Sequence, residues 1–323
     1  MMHPHGIMFH HFHGGDHAPS QGSIDAHALR NLIRHVGVER IVRADEWLQR
    51  AESDSLEPQD ICLTFDDALR CQLDVARPVL EEFNLTGFWF VHTSMLEGEF
   101  SRLEVYRQFR ETCFDSLIQF YSAFEEQARN TVGCQTVSNA LDRLDIGTYL
   151  AEYPFYTPAD RRFRFIRNQI LGEDRYTKIM DEMIVLFGQS IETLAKNLWI
   201  DATDIRNLSE TGQVIGLHSH THPVAIGELP PDRQKWEYKT NAQKLEKVLG
   251  EMPRIMAHPC NSYTAKTLDV LRELGIQFGF RANMVEGHWS KLECPREDHS
   301  NIIREMNACE SPSSPATSLV TSR

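Results

Sequence analysis

The sequence is short of the features that would place it in a membrane, on a nucleic acid or in a disulfide scaffold. No stretch approaches the roughly 20 consecutive apolar residues that a bilayer-spanning helix needs, so no membrane span is expected. The opening residues, MMHPHGIMFHHFHGG, hold neither a basic leader nor an uninterrupted apolar run. No secretory signal is read there, and a cytoplasmic address is expected. The seven cysteines form no C-x-x-C pair and are odd in number, which argues for reduced, mostly buried thiols. Basic side chains are in deficit. The 33 Lys and Arg against 46 Asp and Glu leave a net charge of −13, which opposes a nucleic-acid partner or an anionic lipid surface. There is no internal repeat. A hydrophobic share of 41% with 24% charged residues is ordinary for a globular protein and excludes a largely disordered chain.

Histidine, by contrast, is plentiful, with 15 in the chain, several at the start and three within GLHSHTHP. The first third alternates strands and helices. Gly6–Phe12, Ile61–Phe65 and Gly87–Val91 read as strands, and Ile24–Val36 and Leu73–Phe83 as helices. The rhythm returns after residue 200. Helices are expected at Ile205–Thr211 (starting near Asp201 or Thr203), Trp236–Leu249 and Thr267–Leu274, and strands at Val214–Leu217, Arg254–Ala257 and Ile276–Phe280. Strands apolar on both faces and alternating with helices indicate an α/β fold with a mainly parallel sheet. Between these halves, the spacing of Leu103, Tyr106, Phe109, Phe114, Leu117, Phe120 and Phe124 predicts one long amphipathic helix within a helical insertion. The expected organisation is therefore residues 1–98 and 200–309 as one α/β body, 99–199 as the insertion and 310–323 as a disordered Ser/Pro/Thr-rich tail.

Three loops carry the chemistry, each following an apolar strand, where sites are built in parallel sheets and barrels. The first is Thr64-Phe65-Asp66-Asp67-Ala68. Two adjacent carboxylates leaving a buried strand are costly unless a cation neutralises them; the bland alternative is a helix N-cap pair. The second is His218-Ser219-His220-Thr221-His222-Pro223. One helical turn would bring His218 and His222 to the same side, whereas an extended strand would favour His220 with His222. A two-histidine-plus-carboxylate set suits a catalytic divalent metal, leaving positions for water and substrate. The third is Ala257-His258-Pro259-Cys260. His10 and His11 end the first strand and are candidates to line the same mouth.

These loops resemble, in order, the T-F-D-D-G, H-[ST]-x-x-[HS] and R-x-P-[YFW] motifs of the polysaccharide deacetylase family, carbohydrate esterase family 4, also called the NodB-homology fold. The resemblance covers about 1–98 and 200–305. It implies a deformed (β/α) barrel with fewer than eight regular units. It also implies that Asp67, His218 and His222 bind a divalent metal, zinc before Co, Ni or Mn, and that Asp66 is the catalytic base. The reaction implied is removal of an N- or O-acetyl, or similarly small acyl, group from a sugar or sugar-containing precursor. The alternatives are an amidohydrolase acting on a non-sugar C–N bond and a catalytically silent carbohydrate-binding member.

The chain departs from the family in three places. Ala68 replaces a glycine, of little consequence at a negative φ. Ala257 replaces the arginine that pairs with the base, leaving Arg281 or Arg296 as substitutes. The C-terminal acid histidine has only His258, His288 and His299 as candidates. Pro259, Cys260, Arg296 and Asp298, with His10, His11 and His258, are the candidate substrate-binding or supporting residues. The insertion is expected either to narrow the mouth or to form a homo-oligomer contact.

Overall fold

The computed structural model describes residues 3–151, 156–287 and 290–310, and side chains as far as residue 308. His288, Trp289 and the tail from 311 lie outside the described residues. The chain divides into two compact units, one of residues 1–15, 21–93 and 200–323, the other of 16–20 and 94–199.

The first unit is built on seven strands: β1 His5–Phe9, β2 Ile61–Phe65, β3 Gly87–Val91, β4 Val214–Leu217, β5 Ile255–Ala257, β6 Phe278–Phe280 and β7 Arg296–Asp298. They lie in the order β6-β5-β4-β3-β2-β1-β7, and every pairing is parallel. The two ends nearly meet. Cys294, just before β7, bridges Phe280 of β6, while β7 itself pairs with β1. This is the deformed (β/α) barrel that the resemblance implies. Its helices are α1 Ala26–Val36, α2 Ala44–Glu52, α3 Arg77–Glu82, α10 Ala202–Glu210, α11 Pro231–Leu249, α12 Ala265–Glu273 and α13 His299–Glu310. Asp201 caps α10 in a reciprocal box with Asp204, and Gly250 ends α11 in the left-handed conformation at φ 84°. No helix among the described residues is long and apolar enough to cross a membrane.

Side chains alternate along a strand, so Cys62, Thr64 and Asp66 share one side of β2 while Leu63 and Phe65 take the other. Phe9, Phe65 and Trp89 stack on the second side at centroid distances of 5.4 and 4.6 Å. Cys62, Phe88, Phe90, Phe280 and Trp47 form one continuous core cluster. The barrel closes tightly around Gly279, where an added Cβ would meet Leu292 O at 2.5 Å. Gly279→Ala is therefore expected to cost about 1–3 kcal/mol, the usual range for overpacking, read as a lowered urea midpoint. An unchanged midpoint would mean that the Lys291–Cys294 segment can move away from β6.

The second unit holds α4 Arg102–Thr112, α5 Leu117–Val132, α6 Cys134–Leu141, α7 Pro158–Phe165, α8 Gly172–Leu186 and α9 Ile191–Ala195. The single long helix expected over the aromatic stripe is two helices. Ser116 caps α5 by accepting the Gln119 N–H, and Phe114 in the break packs on Phe109, Phe120 and Phe187 at 5.2, 5.4 and 4.6 Å. The periodicity survives the break because the same aromatics reach one core from both helices. Of the six cysteines described, Cys62, Cys71 and Cys294 are buried, Cys113 is half-buried, and Cys134 and Cys260 are exposed. Fewer are buried than expected.

Candidate metal centre and carboxylate pair

β2 delivers Asp66 and Asp67 at its carboxyl end, and the next turn is left-handed. Asp67 has φ 74° and Ala68 φ 55°. The negative φ expected for Ala68 is thus corrected: this alanine occupies the backbone region that favours glycine, at a cost of about 1 kcal/mol or more. The turn swings the two carboxylates apart, so neither caps a helix. Asp66 is 2% exposed and faces Arg296 of β7, which is fully buried. Arg296 Nη1 and Nη2 donate to Asp66 Oδ1 and Oδ2 at 2.6 and 2.8 Å, and its Nε donates to Arg281 O at 2.9 Å. Burial opposes ionisation of Asp66, but Arg296, helped by His218 and His10, holds its carboxyl below the ordinary value. The arginine absent at position 257 is therefore replaced from a different strand. Arg281, the other candidate, donates instead from its Nη2 to Val285 O.

Asp67 turns the other way. One ligand atom from each of Asp67, His218 and His222 lies within 4.8 Å of the others. The Nε2 atoms of His218 and His222 stand 3.3 and 3.2 Å from Asp67 Oδ1. That oxygen is buried and has no partner of hydrogen-bond geometry among the described residues. An orphaned carboxylate oxygen facing two imidazole nitrogens is a donor set that fits a divalent cation. Burial again opposes ionisation, but His222, His218 and then His10 beside it hold Asp67 well below the carboxylate range. His218 keeps its Nε2 toward the site because Nδ1 bonds Ala257 O at 2.9 Å, the carbonyl contact that commonly fixes a ligand's tautomer.

The segment from His218 to His222 is not the helical turn expected from the spacing. Ser219 and His222 adopt φ 61° and 55°, with bends at His220 and Thr221 between them. The two rings come to 4.9 Å by this route. His220 points elsewhere, its Nδ1 2.9 Å from Thr93 Oγ1 and its ring edge-on to Trp236.

Of the supporting candidates, His10 lines the mouth. Its Nε2 is 3.8 Å from Asp66 Oδ2 and 4.0 Å from Asp67 Oδ2, and His11 stacks on it at 6.3 Å. Pro259 is buried, and Cys260, at φ 50°, has its thiol pushed up to about 12 by desolvation and then by the charges of Asp67 and Asp66. Two acid candidates are otherwise engaged. His258 gives Nε2 to Leu292 O at 2.8 Å, stacks on Tyr263, and is pushed down to about 4 by burial. His299 has Met8 O and Gly22 O at 3.1 and 3.0 Å from its two ring nitrogens. Asp298 accepts from the Ser300 N–H and hydroxyl at the start of α13.

The sequence reading missed α2, β7, α13 and three side chains. Gln72, fully buried, donates to His10 O and Asp66 O at 2.8 and 2.6 Å and ties together the segments that follow β1 and β2. Glu237 and Asn241 of α11 grip the histidine loop. Polar residues falling on the same helical face as Tyr238, Ala242 and Leu245 were the available signal.

Residues 185–279 match the sequence profile of a family described as polysaccharide deacetylase. The match takes in the histidine and proline loops but not Asp66 and Asp67. No curated protein sequence matches the chain. Among solved structures, IcaB from Ammonifex degensii is similar at TM-score 0.54 and 13% identity, covering 96% of this chain and 98% of that one. The Streptococcus pyogenes deacetylase PplD, in complex with acetate, is similar at 0.53 and 14%, covering 94% and 97%. A de-N-acetylase from Aggregatibacter actinomycetemcomitans is similar at 0.53 and 11%, covering 94% and 98%. At such identities the structural likeness is one of fold. The chain thus resembles the polysaccharide deacetylases in sequence over residues 185–279 and in fold along nearly its whole length.

Proposed function

We propose that this protein is a metal-dependent deacetylase that hydrolyses an N- or O-acetyl, or similarly small acyl, group on a sugar or sugar-containing precursor. The observation that carries the reading is the division of labour between two neighbouring carboxylates. Asp67 faces two histidine nitrogens, while Asp66 faces an arginine. Asp67, His218 and His222 would hold the cation, zinc by preference, which when bound polarises an acyl carbonyl and acidifies a water. Asp66, kept ionised, accepts the proton of the attacking water. Arg296 fixes the orientation of that carboxylate, and a backbone N–H near Cys260 is offered to the oxygen on which negative charge develops. His10, whose Nε2 lies 3.8 Å from Asp66 Oδ2, is placed to pass the proton taken up by Asp66 on to the departing group. A silent carbohydrate-binding role draws support from the missing arginine at position 257 and the missing acid histidine; Arg296 at Asp66 weighs against the first of these.

Acetate release from a panel of N-acetylated and O-acetylated sugars, with acylated non-sugar amides alongside, tests the reading. Chelator-sensitive release from a sugar is the expected result. Turnover of the non-sugar amides alone would move the assignment to an amidohydrolase, and release from none of them would sink it. Arg296→Lys keeps the charge but loses the forked hydrogen bonds. It is expected to lower kcat about 10–100-fold with bound metal retained, measured by steady-state rates alongside elemental analysis. A wild-type kcat would show that Asp66 needs no such support.

A further inference from the structure

The buried face of α11 carries polar side chains where apolar ones are usual. Gln234, Glu237 and Asn241 are at most 1% exposed and share that face with Tyr238, Ala242 and Leu245. Each grips a different stretch of the chain between β4 and α11. Asn241 Oδ1 accepts from the His218 N–H at 3.0 Å, while its Nδ2 donates to Val91 O and Thr93 Oγ1 at 2.9 and 3.1 Å. Glu237 Oε2 accepts from the His220 and Thr221 N–H groups at 3.0 and 2.8 Å, and Oε1 accepts the Thr221 hydroxyl at 2.6 Å. Gln234 Nε2 donates to Leu229 O at 2.7 Å and to Gly227 O at 3.3 Å.

Glu237 holds the strained point. Ser219 and His222 are left-handed without being glycine, a conformation that persists only where the surroundings over-determine it. Both residues between them are tied to one carboxylate. Left-handed backbone at two non-glycine residues costs energy, and the three hydrogen bonds that the Glu237 carboxyl oxygens accept can offset it. The turn is also held by the Thr93 N–H to His220 O at 3.1 Å and the His222 N–H to Ser219 Oγ at 3.1 Å, but Glu237 binds both residues at its apex, and the turn keeps His222 Nε2 3.2 Å from Asp67 Oδ1. A buried carboxylate is costly to keep in a helix face that Leu or Met would fill, so what it grips is its evident use.

We infer that Glu237 is a positioning residue that sets the cation affinity of Asp67, His218 and His222 by fixing the 219–222 turn. This rests on the metal-centre reading proposed above. Two variants test it, Glu237→Ala and Glu237→Gln, the second near-isosteric and so a usable reading if the first does not fold. Each is titrated with Co²⁺ alone, read by visible absorbance, and the metal-free proteins are compared by amide hydrogen exchange. The expected result is a Co²⁺ affinity lowered about 10-fold or more in Glu237→Ala and by less in Glu237→Gln. Faster exchange should be confined to His220, Thr221 and His222. A residue that merely stabilised the fold would lower the melting temperature and leave both the Co²⁺ affinity and the exchange of those amides at wild-type values; either unchanged value overturns the inference. Wild-type protein that took up no Co²⁺ would sink the metal-centre reading, and this inference with it. That failure is told apart because it shows before any substitution is made.

Discussion

Alanine at Asp67 or at His222 is expected to leave the protein almost free of divalent cation after dialysis, where the wild type keeps about one per chain. Three donors within 4.8 Å of one another leave little redundancy. Without Asp67 the site loses its only negative donor, and the two imidazoles that remain would repel a cation once either is protonated. Without His222 the cation keeps one imidazole and one carboxylate, a set common on protein surfaces and weak there. Both variants should fold, because the barrel core lies below the loops and neither residue belongs to it. Elemental analysis of the dialysed proteins, with circular dichroism as a check on folding, decides the matter. Full stoichiometry in both variants would mean that the metal, if any, sits elsewhere, and that Asp67 simply pairs with protonated histidines.

Asp66→Asn should do the opposite: keep metal and fold, and lose the reaction. The amide is nearly isosteric, and its oxygen can still accept from Arg296, but it cannot take a proton at neutral pH. A rate loss of about 10²–10⁴ is the usual worth of a positioned base. The variant also replaces a buried ion pair by a buried arginine facing a neutral partner, so some stability should be lost as well. The rate must therefore be measured well below the variant's own melting temperature. A variant nearly as active as wild type would require another base, and His10 would be the first to examine, since its Nε2 lies 3.8 Å from the same carboxylate.

The strands that end in chemistry were legible because they are apolar on both faces and short. Ile61–Phe65, Gly87–Val91 and Val214–Leu217 stand where the sequence pattern puts them, and the loops that follow bring Asp66, Asp67, His218 and His222 to one mouth. Arg296 was legible only as one of two candidates. Its strand is Arg-Glu-Asp, three charged residues with no periodic signal, and it reaches Asp66 across 230 positions of chain. The histidine turn was misread because residue spacing carries no trace of a left-handed backbone at Ser219 and His222. A serine at positive φ is uncommon and a histidine there only less so, and pattern reasoning looks for such backbone first at glycine or asparagine. The break in the aromatic helix was hidden for a related reason: the Ser116 cap interrupts the helix without interrupting the period of the hydrophobic stripe.

Because β7 pairs with β1, the two strands that close the barrel are separated by almost the whole described chain. During synthesis β1 to β6 leave the ribosome before the strand that neutralises Asp66 emerges. Such a nascent barrel has an open edge along β1 and a carboxylate with no cation beside it, so it should hold its last seam loosely. Closing that seam joins residues at very long sequence separation, the kind of step that slows folding. In a refolding experiment the far-ultraviolet signal of the helices should therefore recover first, and hydrolytic activity should return in a later phase set by the docking of one three-residue strand.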